Sequence, residues 1–173
     1  LINIREGRVE DAEQIAAVHV ESWKTTYNRI ISESFLSGLS VEDRLKNWIW
    51  TFQNATADQA IFVAEDGAGH IVGFSTGGRN RNKEYKHDGE IYAIYLLQEY
   101  QRQGVGTRLF RAVADALRNH GCSSMMLWVL KDNPAVGFYK RQGGQVIGQK
   151  DVTIGGESLL ELAIGWDSFQ DQE

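Results

Sequence analysis

Gln101-Arg102-Gln103-Gly104-Val105-Gly106 is the segment whose residue types and spacing most clearly point to chemistry. It lies between an apolar run, Glu90–Leu97, and an amphipathic stretch from Thr107 to Asn119. A glycine-bearing turn between a strand and a helix N-terminus leaves several backbone N–H groups with no helical carbonyl to accept them. With the positive end of the helix dipole, these groups make an anion site suited to a pyrophosphate. Arg102 and Arg108 add positive charge nearby. The chemistry predicted is binding of a phosphate-bearing small molecule. The segment is not a Walker A loop, because no Gly-x-x-x-x-Gly-Lys-Ser/Thr occurs. It also fails the dinucleotide pattern, because Leu109 stands where a third glycine belongs. The alternative is an ordinary strand-to-helix turn whose glycines only permit a tight backbone, and context decides between the two.

The elements that must position this loop are legible on both sides. Ile2–Glu6 reads as a first strand. Asp11 with Gln14 reads as a capping box opening a helix that carries Ile15, Ala16 and Trp23. Ser40-x-x-Asp43 opens a second helix, with Val41, Leu45, Trp48, Ile49 and Phe52 at three- and four-residue steps. Ala60–Glu65 and His70–Thr76 flank a glycine-bearing connection as a hairpin. Glu90–Leu97 is the next strand, and the helix after the loop places Leu109, Phe110, Val113, Ala116 and Leu117 on one face. Ser124–Leu130 is a continuous apolar run, expected for a strand buried on both faces. Asn133-Pro134 starts a short helix that stops at Gly143-Gly144. Gln145–Val152 and Ser158–Trp166 flank Gly155-Gly156 as a second hairpin. The element order is βααβββαβαββ.

Bulk properties narrow the class. At 173 residues the chain is expected to form one domain, 1–173, with a sizeable core. Hydrophobic content of 42% and charged content of 24% are those of an ordinary soluble protein. No apolar run reaches membrane-spanning length and the N-terminus lacks a signal-peptide pattern, so the expected location is the cytoplasm and no membrane partner is expected. A net charge of −5 argues against nucleic acid as the main partner. The best local basic patch, Gly78–Asp88, is diluted by Glu84 and Asp88 and reads as a solvated loop. The lone Cys122 excludes an intrachain disulfide, and the four histidines have no ligand spacing, so no metal is expected.

The pattern Gln/Arg-x-x-Gly-x-Gly after a strand resembles the coenzyme A pyrophosphate loop of the GCN5-related N-acetyltransferases (the GNAT family). Three further pieces are similar to that family: Tyr95–Tyr100 before the loop, Leu127-Trp128-Val129 followed by Asn133, and the aromatic helix Ala135–Gly144. The likeness covers residues 2–166 and is densest from Glu90 to Gly144. Gln98, where proline is common, and Gly144, where phenylalanine is usual, depart from the family pattern. The resemblance implies an α/β (α+β) fold, with a mixed, partly splayed sheet flanked by helices, and acetyl-CoA as acetyl donor. Backbone groups of Gln101, Arg102, Gln103, Gly104, Val105, Gly106 and Thr107 would then hold the pyrophosphate. Ile94, Tyr95 and Leu96 would pair with the pantetheine arm, and the Leu96 N–H would polarise the acetyl carbonyl. Asn133 would bond to coenzyme A, although it also has a complete explanation as a helix cap.

Acyl transfer to an amine needs a neutral nucleophile, a route for its proton and a proton for the leaving thiolate. Glu90 is the candidate base, directly or through water, and its alternative is a strand-end carboxylate paired with lysine or arginine. Tyr139 is the candidate acid, because the family often uses a tyrosine on this helix; its alternative is core packing beside Phe138. His19, Trp23 and Tyr27 lie where similar enzymes shape the acceptor pocket, and Tyr92 should share a strand face with Glu90. An aromatic rim of Trp23, Tyr27 and Tyr92 would suit an ammonium. The expected activity is acetyl transfer from acetyl-CoA to a primary amine of a small molecule by direct attack in a ternary complex. Acetylation of a protein N-terminus or lysine, and a non-catalytic coenzyme A sensor of the same fold, are the alternatives. The C-terminal strand and exposed aromatic surface would allow a homodimer.

Overall fold

The computed structural model describes residues 1–169; the last four positions of the expected single domain, 170–173, lie outside the described residues. The strands are β1 (Asn3–Glu6), β2 (Ala60–Glu65), β3 (Ile71–Arg79), β4 (Gly89–Leu96), β5 (Met125–Leu130), β6 (Gln145–Ile154) and β7 (Glu157–Trp166). The helices are α1 (Ala12–Thr26), α2 (Glu33–Ser37), α3 (Val41–Asn54), α4 (Val105–Asn119) and α5 (Ala135–Arg141). The expected order holds, with α2 as an addition: five residues, capped by the Ser32 side chain on the Phe35 N–H, are too few to show a helical stripe.

The strands form one mixed sheet in the order β1-β2-β3-β4-β5-β7-β6, in which only β4 and β5 run parallel. Against one face, α4 buries Leu109, Phe110, Val113, Ala114 and Leu117, with Ile91, Met125, Leu127 and Ile164 from the strands. On the other face α1 and α3 bury Ile15, Ala16, Val18 and Trp48 against Val63 and Phe74. The α3 stripe begins one turn late, since Val41 is exposed. β5 is buried along nearly its whole length, as its unbroken apolar run requires.

One helix start differs from expectation. Asp11 does not cap α1 through the Asp11/Gln14 box. Its carboxylate accepts from both Arg5 nitrogens at 2.8 and 2.9 Å and from the Arg8 N–H, while Gln14 accepts from the Ile71 N–H at 2.9 Å. Long-range partners thus outcompete the local box, tying α1 to β1 and β3. Asp11 is held below the usual carboxylate range, first by Arg5.

His19 of α1 is packed among Trp48, Phe74 and Tyr95, and its Nδ1 accepts from Trp48 Nε1 at 3.2 Å. Burial pushes its imidazole down to about 3 from 6.5. The folded state therefore keeps His19 neutral where the unfolded chain takes up a proton. Stability is complete above the unfolded value and is lost as pH falls from 6.5 toward 3. The loss at pH 5 is on the order of 2 kcal/mol. His19→Gln, which keeps an acceptor for Trp48, should flatten the dependence of urea-unfolding free energy on pH between pH 6.5 and 5. An unchanged slope would show that His19 does not contribute. Asp11, depressed in the folded state, weakens the fold in the same direction at lower pH.

Candidate active site

The loop before α4 has the backbone of an anion cradle. Arg102 (φ 62°) and Gly104 (φ 83°) both adopt left-handed conformations, separated by one residue. Such alternation turns successive N–H groups toward one side, here at the N-terminus of a fifteen-residue helix. A Cβ on Gly104 would meet nothing within 4 Å, so glycine is required there for its backbone conformation and not for space. Gln101 donates to the Leu96 carbonyl at 3.1 Å and Gln103 to the Glu99 carbonyl at 3.1 Å, pinning the loop to the end of β4. The helix starts at Val105, ahead of the expected Thr107, and Val105 is buried against Ala64, Val72 and Leu109. Arg108 donates to the Ile2 carbonyl, just before β1.

Beside the loop the sheet opens. The β4–β5 ladder contains only Gly89↔Met125 and Glu90↔Met126, after which the strands diverge. A cleft of about 810 Å³ fills the gap, running from Gly104 and Thr107 past Ile94 and Leu96 to Tyr27 and Tyr92. The Leu97 N–H bonds to Val72 on β3. Antiparallel alternation then directs the peptide groups of Leu96 and Ile94 into the cleft, and those of Tyr95 toward its β3 partner Phe74. Ile94 thus presents a free N–H and carbonyl and Leu96 a free N–H, its carbonyl being held by Gln101, whereas Tyr95 contributes its phenol.

At the far end, Asn133 Nδ2 donates to Tyr27 Oη at 3.2 Å, and Tyr27 Oη shares a hydrogen bond with Tyr95 Oη at 3.0 Å. Asn133 Oδ1 also accepts from the Ala135 N–H at 2.8 Å, so one side chain caps α5 and orients the tyrosine pair. Burial raises both phenols, holding them protonated. Tyr139 of α5 lines the same cleft. Burial, with nearby Tyr27, pushes its phenol well above the ordinary value, and its hydroxyl has no hydrogen-bond partner among the described residues. It is a buried, protonated hydroxyl in the wall of the cleft.

Glu90, only 2% exposed, lies outside this lining. Arg81 forks it, with Nε to Oε1 at 3.1 Å and Nη2 to Oε2 at 3.0 Å, and the Arg81 N–H adds a third bond. The Arg81 guanidinium also sits 4.0 Å from the Tyr92 ring centroid. Tyr92 is the unmatched residue of a bulge, since Gly77 pairs with Ile91 and Thr76 with Ala93. Its hydroxyl crosses β3 to bond the Arg79 carbonyl at 2.7 Å, over Gly78, where any Cβ would collide with it. The 79–88 segment is thus pinned at several points, while Arg79, Arg81, Lys83, Glu84 and Lys86 stay exposed, as a solvated loop requires. Asn82 Oδ1 accepts from Trp128 Nε1, and the Tyr85 ring packs edge-on to Trp128.

Of the residues expected at the site, Tyr27, Tyr92, Ile94, Tyr95, Leu96, Gln101, Arg102, Gly104, Gly106, Thr107, Asn133 and Tyr139 line one cleft. Glu90, Trp23, Gln103 and Val105 do not. Trp23 packs edge-on to Tyr27 at 4.8 Å, under the Arg44 guanidinium. Sequence reasoning missed Trp128, Arg141 and Gln142 as lining residues. Trp128 had a signal in its place on the strand facing β4, but a continuous apolar run hides which side chains reach a cleft. Cys122 is buried, and burial raises its thiol. Among the described residues no cluster of three or more potential metal ligands occurs, and no helix is long and apolar enough to cross a membrane.

Comparisons with known proteins give the same picture. The profile of the acetyltransferase (GNAT) family matches residues 20–144. An uncharacterised N-acetyltransferase of Bacillus subtilis is 38% identical over 166 residues, covering 96% of this chain and 93% of its own length. The spermidine N(1)-acetyltransferase of Thermoplasma acidophilum is 28% identical over 166 residues, covering 92% of this chain and 96% of its own. A crystal structure of an N-acetyltransferase from the same organism in complex with coenzyme A superposes with a TM-score of 0.69 at 27% identity, covering 93% of this chain and 98% of that one. With the splayed sheet and the loop before α4 described, these matches show that the chain belongs to the GNAT acetyltransferase family and is an N-acetyltransferase.

Proposed function

We propose that the protein moves the acetyl group of acetyl-CoA to a primary amine of a small molecule, by direct attack in a ternary complex. The observation that carries this reading is the divergence of β4 from β5, which opens one continuous cleft from the left-handed loop at Arg102–Gly104 to the tyrosines at Tyr27 and Tyr92. The loop N–H groups take the pyrophosphate, the peptide groups of Ile94 and Leu96 pair with the amide-bearing arm, and the thioester comes to rest near Tyr139. The Leu96 N–H donates to the acetyl carbonyl oxygen as negative charge develops on it. Tyr139 gives its proton to the departing thiolate. A small-molecule acceptor is supported by the spermidine-acetylating relative of nearly equal length.

Glu90 is the proposed acceptor of the amine proton, through water, because it lies next to Tyr92 but outside the cleft lining. The Arg81 fork favours a second reading, in which Glu90 anchors Arg81 on Tyr92. Glu90→Gln separates them. A base predicts a rate loss greatest at lower pH, where more amine is protonated; an anchor predicts the same loss at every pH. The function itself is tested by thiol release from acetyl-CoA across amines, polyamines, amino acids and peptides. Tight acetyl-CoA binding with no acceptor-stimulated release would instead support a sensor, and release only with peptides a protein acceptor.

A further inference from the structure

Glu161 on β7 is a carboxylate for which neither fold nor transfer chemistry accounts. It stands opposite Leu130 of β5 and opposite Lys150 of β6, while Trp128 of β5 stands opposite Ala163. Antiparallel partners share a sheet face, so Trp128, Leu130, Ala163, Glu161 and Lys150 all project to the side where Tyr27 packs on Leu130. Glu161 is thus the diagonal neighbour of Trp128, which lines the cleft, and its charge acts on Tyr27, which lines it too. Half-buried, its carboxyl group has no hydrogen bond or ion pair among the described residues. Burial lifts it above the ordinary glutamate range and Lys150 only partly opposes that. Lys150 is in register to pair with Glu161, yet its ammonium lies 4.1 Å from the centre of the Trp128 ring. This face therefore already seats an alkylammonium on an aromatic ring, beside a carboxylate left without a direct partner.

We propose that Glu161, which itself lies outside the cleft lining, binds the non-reacting ammonium of a di- or polyamine acceptor that extends past Trp128 and Tyr27. The proposal rests on the acetyl-transfer reading for where the reacting nitrogen lies. That nitrogen must be neutral to attack, so the carboxylate recognises the other one, which stays charged throughout. A charge-assisted hydrogen bond to a half-buried carboxylate, with an aromatic face alongside, distinguishes a diamine from a monoamine of equal length. Lys150 competes for the same carboxylate and sets a ceiling on the affinity.

The test is calorimetric titration of the coenzyme A-loaded protein with hexanediamine and with n-hexylamine. The parent should bind the diamine at least about tenfold more tightly, a difference of roughly 1.4 kcal/mol. Glu161→Gln, of the same shape, should bind the two alike, and Lys150→Met should bind the diamine more tightly than the parent. Equal binding of the two amines by the parent, or a preference retained in Glu161→Gln, would overturn the proposal. If Glu161→Gln fails to fold, as its thermal midpoint would reveal, an unchanged diamine affinity in Lys150→Met overturns it instead. Thiol release from acetyl-CoA with the same amines keeps the two readings apart. A Glu161-dependent diamine preference without release leaves the site standing and removes the transfer reading. Release from both amines, with no diamine preference, does the reverse.

Discussion

Gly104→Val is expected to raise the dissociation constant for acetyl-CoA by about a hundredfold while leaving the fold intact. The two halves of that expectation come from different observations. A side chain at this position would touch nothing within 4 Å, so packing does not resist it. The backbone does resist it, because φ is 83° and a β-branched residue is strained there. That strain is about 1–2 kcal/mol, and the chain escapes it by rotating the peptide planes that make the cradle. Each N–H lost to a charged phosphate forfeits about 1.5–3 kcal/mol, so losing one or two gives the hundredfold effect. Arg102→Gly provides the contrast, since it removes charge and relieves a left-handed non-glycine residue. It should weaken binding less, and more so at low salt than at high salt. Calorimetry with acetyl-CoA checks both variants; full affinity in Gly104→Val would remove the loop from the binding site.

How far the site could be read in advance depended on whether a residue's role was local. Gly104 was legible because a strand, a glycine turn and a helix follow one another in the chain, and their geometry follows from that order. The β4–β5 divergence was an implication of the family resemblance, and the short ladder bears it out. The roles set by distant partners were not legible. Asp11 looked like a cap until Arg5 and Arg8 claimed its oxygens. Glu90 could be read as base or as ion-pair partner, and the Arg81 that forks it lay in a segment whose mixed charges read as solvated. Tyr92 was placed on the Glu90 face by simple alternation, but the bulge that frees it from its β3 partner leaves no mark in the residue pattern. Lys150, Glu161 and Trp128 come together only through the registers of three strands, and β6 carries a bulge of its own between Val146 and Gly148.

This division explains why the donor is better defined than the acceptor. In the proposed reading, coenzyme A would be held largely by backbone, in a loop and along a strand whose conformations are local properties. The proposed acceptor end would be made of side chains from α1, β4, β5 and the 79–88 segment, each placed by long-range contacts such as Asn133 to Tyr27 and Trp128 to Asn82. Substitutions at the rim can therefore alter acceptor choice without disturbing the donor site.

Tyr139→Phe is expected to lower turnover by about a hundredfold, the lower part of the range for a general acid, with acetyl-CoA affinity nearly unchanged. The same substitution tests the competing view of Tyr139 as a core residue, because the two views agree on stability and differ on activity. Its hydroxyl has no hydrogen-bond partner among the described residues and sits where burial penalises a charged phenolate. Removing an unpaired polar atom from such a place is neutral or stabilising, so the thermal midpoint should hold or rise slightly. The ring contacts to Phe110 and Phe138 survive the change. A role in packing alone thus predicts a phenylalanine variant at least as stable and equally active. A role as acid predicts a variant at least as stable and nearly inactive. The pH profile adds a further condition. With its phenol pushed above the ordinary tyrosine value, Tyr139 stays protonated through neutral and mildly alkaline conditions, so it cannot produce a falling limb there. Any rise in parent activity with pH reports deprotonation of the amine and should persist, at reduced height, in Tyr139→Phe. Parent-like turnover in a stable Tyr139→Phe protein would assign the residue to the core and leave the thiolate to be protonated by water.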